Sequence, residues 1–488
     1  MAFQYRSYFY HYKEKFMDFY ERDLMGGVEA LLFSGILGFL WIMFALDLYL
    51  NLRQRQILQE SENPTEQVLL LMNPENFIQS RNYSLHKNSY NLYYSCHSMI
   101  QTTIILMTNI LPWLWEFSAK SILPWTIEKS YLPITEDLTE EQEIKASQLF
   151  LTYVVIFNFI DELPWKIYNN FYLENKYQFD KISKTYFIFD QIKNFIISLC
   201  LIFPFSFCVQ YIIKSSGSKF YLQAWGLVFV TRILLMFIYP ELIAPIFGNY
   251  QPLPDGQLKI QIEDLAESIN FPLTEIFVAQ ESKSFVHNNV YFYGFGKNKK
   301  LVLFDSILRN YGHFDTNDMN ILNIGDMSED QRNVFTNDEI LAILSHEFGH
   351  WKLNHKTQNL IICQINLFLM FYTFGNLFNY GILFKTCGFK EVGTPNLIKL
   401  TLIFQFLFPP YNALIEFVMI LCSRQNEFQA DLFSTNLGYG TKLIDYLIKL
   451  QYNYMLFPIY DKWYSMFNQS NPPLLDRIKA IKENDVNK

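Results

Sequence analysis

Uncharged apolar runs alternate with polar blocks along this chain, and most of the runs are near the length needed to cross a membrane. Ala30 to Leu46 carries no charge, and neither do Ser98 to Trp115, Gln148 to Ile160, or Asn194 to Ile213. Tyr221 to Tyr239 is interrupted only by Arg232. Thr357 to Phe384 is again uncharged, and Leu400 to Ser423 carries only Glu416. A helix needs about 20 mainly apolar residues to cross a bilayer, so the pattern predicts about seven transmembrane helices. Gln148 to Ile160 is the weakest of them. It spans only if Asp161 and Glu162 face protein or a water-filled cavity, because charge facing lipid is costly. The expected fold is mainly α, a polytopic membrane protein. The stretch up to Arg22 is aromatic and charged, without the apolar core of a cleavable signal, so the first run is expected to be retained as a span.

The polar blocks divide the chain into four segments. Residues 1–247 hold five candidate spans, 248–356 form a soluble block, 357–423 hold the sixth and seventh spans, and 424–488 form a C-terminal block. Within the first soluble block, Val290 to Phe295 is rich in aromatic and β-branched residues and reads as a strand. Gly296 to Lys300 then gives a turn and Leu301 to Phe304 a second strand, a small β-hairpin or sheet. Arg309 to Asn337, rich in Asn and Asp, reads as a mobile surface loop.

A helix with a clear start follows that loop. Thr336-Asn337-Asp338-Glu339 has the form of a capping box, with Thr336 as N-cap and Glu339 reaching back. Ile340, Leu341, Leu344 and Phe348 make an apolar stripe. Beside it lies His346-Glu347-Phe348-Gly349-His350, an HExxH motif. Histidines four apart share a helical face and can hold Zn²⁺, while Glu347 is placed to activate a metal-bound water.

Catalytic zinc usually takes three protein ligands. A third histidine in the pattern HExxHxxGxxH is excluded, because Leu353 and Lys356 stand where Gly and His are needed. His355 is one residue short. The alternative is His₂Glu, with downstream candidates Glu391, Glu416, Glu427 and Glu483. Glu427 is the best placed, because Asp431 follows one turn later and can accept the distal N–H of a liganding histidine. Glu416, a lone acid within a candidate span, is the other choice. Asn289 and Tyr291 are candidate substrate contacts, since an edge strand beside a zinc helix can pair with an extended peptide. A purely structural hairpin is the competing reading.

Composition supports the membrane reading: 50% hydrophobic, 18% aromatic and 18% charged, with less charge than ordinary soluble domains carry. A net charge of −8 disfavours nucleic acid as a partner. The six cysteines lie mostly in or beside spans and form no CxxC pair, which argues against both disulfides and a thiolate zinc site.

With these motifs in order, the chain resembles the type I CAAX prenyl proteases over most of its length. The resemblance rests on Leu163-Pro164-Trp165 with Tyr168-Asn169, on Tyr239-Pro240 with Ile243-Ala244-Pro245, and on Pro252-Leu253-Pro254. It continues through His287 to Phe295, Leu301 to Asp305, the HExxH helix, Ser423 to Asp431 (SRxxEFQAD), and Pro472 to Leu475 ahead of Arg477. It implies seven helices around an intramembrane chamber, capped by a zinc domain. It also implies His346, His350 and Glu427 as ligands to one Zn²⁺, Glu347 as general base and Asp431 in the supporting shell. The implied activity is removal of the last three residues of prenylated CaaX proteins, with an upstream cut on some substrates. The implied place is the endoplasmic reticulum membrane and nuclear envelope, with the zinc domain cytosolic; the chain's own charges leave the orientation open.

One departure stands out. Asn471 occupies the position before Pro-Pro where the family has His. Its amide can donate to a developing oxyanion but carries no charge, so lower activity or altered pH dependence is expected. Arg477 is retained and is expected to orient the acidic residues near the metal. Two other readings share part of this pattern: a membrane quality-control metalloprotease of broader specificity, and a catalytically weak multi-span scaffold.

Overall fold

The computed structural model describes residues 27–69, 71–122, 138–177, 183–238, 250–279, 290–304, 307–308, 335–389 and 394–486. Helices dominate them. The first half holds α1 (Val28–Glu60), α2 (Pro74–Met107), α3 (Ile110–Ile122), α4 (Glu140–Ile167), α5 (Lys184–Ser215) and α6 (Phe220–Ile238). The second half holds β1 (Tyr250–Pro252), α7 (Gln257–Ser268), β2 (Leu273–Ala279), β3 (Val290–Phe295) and β4 (Asn298–Phe304). After these come α8 (Asn337–Lys352), α9 (His355–Leu377), α10 (Asn396–Leu402), α11 (Pro409–Asn436), α12 (Gly440–Asn453), α13 (Lys462–Asn468) and α14 (Leu474–Val486).

The seven apolar runs meet different fates. Among the described residues four helices are long and apolar enough to cross a membrane: α1, α4 with its continuation to Lys176, α5 and α9. The pair Asn396–Leu407 and Pro409–Asn436 passes only when taken together, as a broken span or a re-entrant loop, bent by 60° where Pro409 and Pro410 interrupt the backbone hydrogen bonds. Phe220–Met236 is apolar but shorter. Ser98 to Trp115 is not one helix, because α2 stops at Met107 and α3 begins at Ile110. Pro112 has no N–H to return to the Thr108 carbonyl, and it sits in the first turn of α3, where that donor is not needed. The short run in α4 meets its condition only at Asp161, because Glu162 stays half exposed. Asp161 lies 3.5 Å from His97, and Glu162 pairs with Lys166 at 2.7 Å.

The chain forms two compact units, each assembled from separated segments. The first comprises residues 1–49, 89–229 and 365–415, and its core gathers Trp115, Phe150, Phe374, Phe384 and Ile403. The second comprises residues 50–88, 230–364 and 416–488. Its core packs Leu301 and Leu303 of β4, Ile262 of α7 and the α8 stripe Ile340, Leu344 and Phe348 with Leu443 and Tyr446 of α12. All six cysteines are free.

Among the described residues the second unit carries a four-stranded sheet in the order β1-β2-β4-β3, with β3 at an edge. β2 and β4 run parallel, while the other two pairs are antiparallel. The expected hairpin forms with a tighter turn than the sequence suggested, because β4 already begins at Asn298. Gly294 and Gly296 have φ of 105° and 55°, and a Cβ at Gly294 would meet the Asn298 carbonyl oxygen at 2.0 Å. Only glycine fits there. The short β1 and the parallel partner β2 were not legible in the sequence. The loop expected over Arg309 to Asn337 lies, across 309–334, outside the described residues.

Candidate active site

Helix α8 starts as its sequence dictates. The Thr336 hydroxyl accepts from the Glu339 N–H, and the Glu339 carboxylate accepts from the Thr336 N–H at 2.8 Å. Glu339 is also tied to Lys449 on α12 at 2.8 Å. The apolar stripe is buried, which leaves the histidine face turned to α11.

Two devices bring α8 and α11 together. Gly349 lacks the Cβ that would lie 3.1 Å from Phe433 and 3.2 Å from the Cα of Ala430. The Ser345 and Ser434 hydroxyls bond one another, and Ser434 donates to the Ala342 carbonyl oxygen, so the polar groups between the helices are mutually satisfied.

This close approach delivers Glu427 to the histidines. His346 Nε2 and His350 Nε2 are 3.1 Å apart. Glu427 places Oε2 3.6 Å from the first and Oε1 3.5 Å from the second. In a tetrahedral centre with bonds of about 2.0–2.1 Å, neighbouring ligand atoms stand roughly 3.4 Å apart. The three observed edges bracket that value. Two imidazole lone pairs and a carboxylate facing one point are a donor set for a divalent cation, so the residues fit a metal. Glu347 is half-buried beside them.

Asp431 and Arg477 support the triangle. Asp431 Oδ1 lies 2.9 Å from His346 Nδ1. Burial opposes protonation of His346, but the carboxylate of Asp431 outweighs it and raises the imidazole pKa. Arg477 grips Asp431 with two bonds of 2.8 and 2.6 Å and reaches Glu427 at 3.3 Å. Burial also opposes the charge of Arg477, yet the two acids outweigh it and raise its pKa further. Arg477 is buried; it is not a surface residue of the terminal helix.

Glu416 is not in the metal-compatible group. Asn471 is exposed on the turn before α14. The Tyr291 hydroxyl bonds that of Tyr250 at 2.9 Å, and its ring lies tilted against Phe304, so this side chain belongs to a sheet face. Asn289 lies outside the described residues. His355, set aside in sequence as one residue short of a ligand position, turns back to touch His350. Its only sequence signal was the spacing from that histidine.

The chain is similar to known proteins over most of its length. The model of the CAAX prenyl protease N-terminal domain, with five membrane helices, matches residues 54–249, and that of peptidase family M48 matches residues 252–485. The chain belongs to the CAAX prenyl protease family. Similar members include the CAAX prenyl protease 1 homologs of Taenia solium, 40% identical, and Homo sapiens, 37% identical. Each match covers 93% of this chain and 96% of the relative. The crystal structure of S. mikatae Ste24p superposes with a TM-score of 0.79 at 30% identity, covering 91% of this chain and 98% of that one. Membership in the CAAX prenyl protease family makes this chain a multi-span membrane metallopeptidase.

Proposed function

We propose that this chain is a zinc endopeptidase of the endoplasmic reticulum membrane that removes the last three residues of prenylated CaaX proteins, with a further upstream cut on some of them. The observation that carries the reading is the His346–His350–Glu427 triangle with Glu347 beside it. Two imidazoles and one carboxylate at tetrahedral spacing suit zinc. The substrate class comes from the names of the relatives.

Zinc held by these three side chains would polarise the scissile carbonyl and make water a stronger acid. Glu347 takes the proton of the attacking water and returns one to the leaving amine, so no covalent intermediate is needed. Asp431 holds His346, while Arg477 holds Asp431 and Glu427. Asn471 offers an amide N–H to the developing oxyanion, a neutral donor in place of a charged one.

The edge strand β3 is the surface for an extended substrate. Lys356 Nζ now donates to the Phe292 carbonyl oxygen at 3.1 Å, so a peptide pairing there must displace it. Tyr291 contributes through its backbone, and Asn289, directly before the strand, through its side chain.

The test uses the purified full-length protein in a lipid environment, with zinc content measured alongside cleavage of matched farnesylated and unprenylated CaaX peptides. Bound zinc with preferential cleavage of the farnesylated peptide is expected. Equal cleavage of both points to a broader quality-control protease. Absence of both zinc and cleavage points to a scaffold.

A further inference from the structure

The two histidines of the metal triangle are supported in chemically different ways. His346 faces the carboxylate of Asp431. His350 faces a neutral pair instead. Its Nδ1 lies 2.9 Å from Nδ1 of His355, and Nε2 of His355 lies 2.9 Å from Oε1 of Gln429. His355 is 2% exposed. Local backbone makes the contact possible: Asn354, at φ 59°, takes the left-handed conformation between α8 and α9 and turns the chain back.

The proton positions in this chain of contacts follow from one another. Nε2 of His350 points at the triangle, 3.1 Å from Nε2 of His346, so a ligand lone pair is required there. The ring's proton must then be on Nδ1, where it needs an acceptor. His355 Nδ1 can accept only if its own proton is on Nε2. An amide oxygen, which accepts and never donates, faces that nitrogen. Each member therefore selects the tautomer that the next one requires.

We infer that His355 and Gln429 are positioning residues that hold His350 in its metal-binding tautomer and fix the plane of its ring. The inference rests on the proposed metal at His346, His350 and Glu427. It assigns no contact with substrate to either residue. The consequence is asymmetric: the anionic partner strengthens one ligand, whereas the neutral relay orients the other without adding charge. Glu427 and Gln429 belong to the same helix, so α11 supplies both a ligand and the end of the relay that supports a second ligand.

The experiment measures the zinc dissociation constant of the purified full-length protein by chelator competition. His355→Ala is expected to weaken zinc binding about 10–100-fold, the usual cost of losing such a partner. His355→Asn, whose Oδ1 takes the place of Nδ1, should recover most of that loss. Gln429→Leu, at an exposed position, should weaken binding about 3–10-fold with His355 present and have no effect in the His355→Ala background.

A structural filler would behave otherwise: His355→Asn would bind as poorly as His355→Ala, or Gln429→Leu would act equally in both backgrounds. Either result overturns the inference. If His355→Ala does not fold, Gln429→Leu compared in the wild-type and His355→Asn proteins decides. A loss in the wild type that vanishes with Asn supports the relay, and no loss in the wild type overturns it. Failure of the wild-type protein to bind zinc would instead refute the proposed metal site itself. Tight zinc binding that is unchanged in every variant refutes only the relay.

Discussion

The two compact units place their side chains by opposite rules. In the first, large apolar residues face outward along the long helices; Leu31 is 75% exposed, Phe189 63% and Tyr211 63%. In the second, charge is drawn inward, with Asp431 1% exposed, His346 3% and Arg477 8%. A helix bathed in lipid gains nothing by hiding its leucines, so many stay on outer faces while residues such as Trp115, Phe374 and Ile403 fill the core. Buried charge survives only where each group meets an opposite one, and the second unit provides that cluster. The difference shows why apolar runs report the membrane unit well and say nothing of the metal site.

The sharpest way to break the comparison is Glu347→Gln. It is expected to leave zinc content unchanged while turnover falls about 10²–10⁴-fold. Near-normal turnover of that variant would remove Glu347 from the mechanism. Arg477→Ala comes next, since it strands two buried acids and is expected to cost about 3–5 kcal/mol of stability. Thermal unfolding in detergent reads the effect, and a shift under about 1 kcal/mol would mean that water already solvates the cluster.

Leu201→Asp probes the other unit. Leu201 is exposed near the middle of α5, where water would welcome an aspartate but lipid charges about 2.5–3.5 kcal/mol for it. Reduced membrane integration in an insertion assay is expected, and normal integration would argue that this face meets water.

The smallest effect concerns Asp461. Arg53 donates to it at 2.8 Å, and the backbone N–H groups of Trp463 and Tyr464 donate as well. The Arg53 bond, with the backbone donors behind it, holds its pKa below the ordinary 3.8. A depressed carboxylate stabilises the fold above its unfolded pKa and loses that contribution as pH falls through the folded value. Arg53 is 38% exposed, so the expected contribution is only about 1 kcal/mol. The stability gap between wild type and Asp461→Asn should therefore be present at neutral pH and close below about pH 4. A gap that stays constant with pH would assign the effect to packing.

Several features were legible because they are local. Thr336 and Glu339 cap α8 within one turn, and Glu427 and Asp431 share a helical face, so sequence spacing alone placed them. The broken span at Thr108 and Asn109 was less visible, because hydropathy averages over the missing hydrogen bond that Pro112 imposes. His355 stays outside the metal-compatible group, as its spacing suggested, but its contact with His350 was not visible. Spacing along an ideal helix puts it out of reach of the metal, and the left-handed turn at Asn354 ends that helix first.

By itself the sequence determined the membrane class, the HExxH helix with its cap, and the preference for Glu427, since each depends on residues within a turn or a run. Only the tertiary structure decided which acid meets the histidines, that Arg477 lies buried between two acids, and that His355 and Gln429 stand behind His350. Those contacts join residues up to 81 positions apart in the case of His346 and Glu427. They depend on how closely two helices can approach at Gly349, a distance set by packing and invisible to any pattern along the chain.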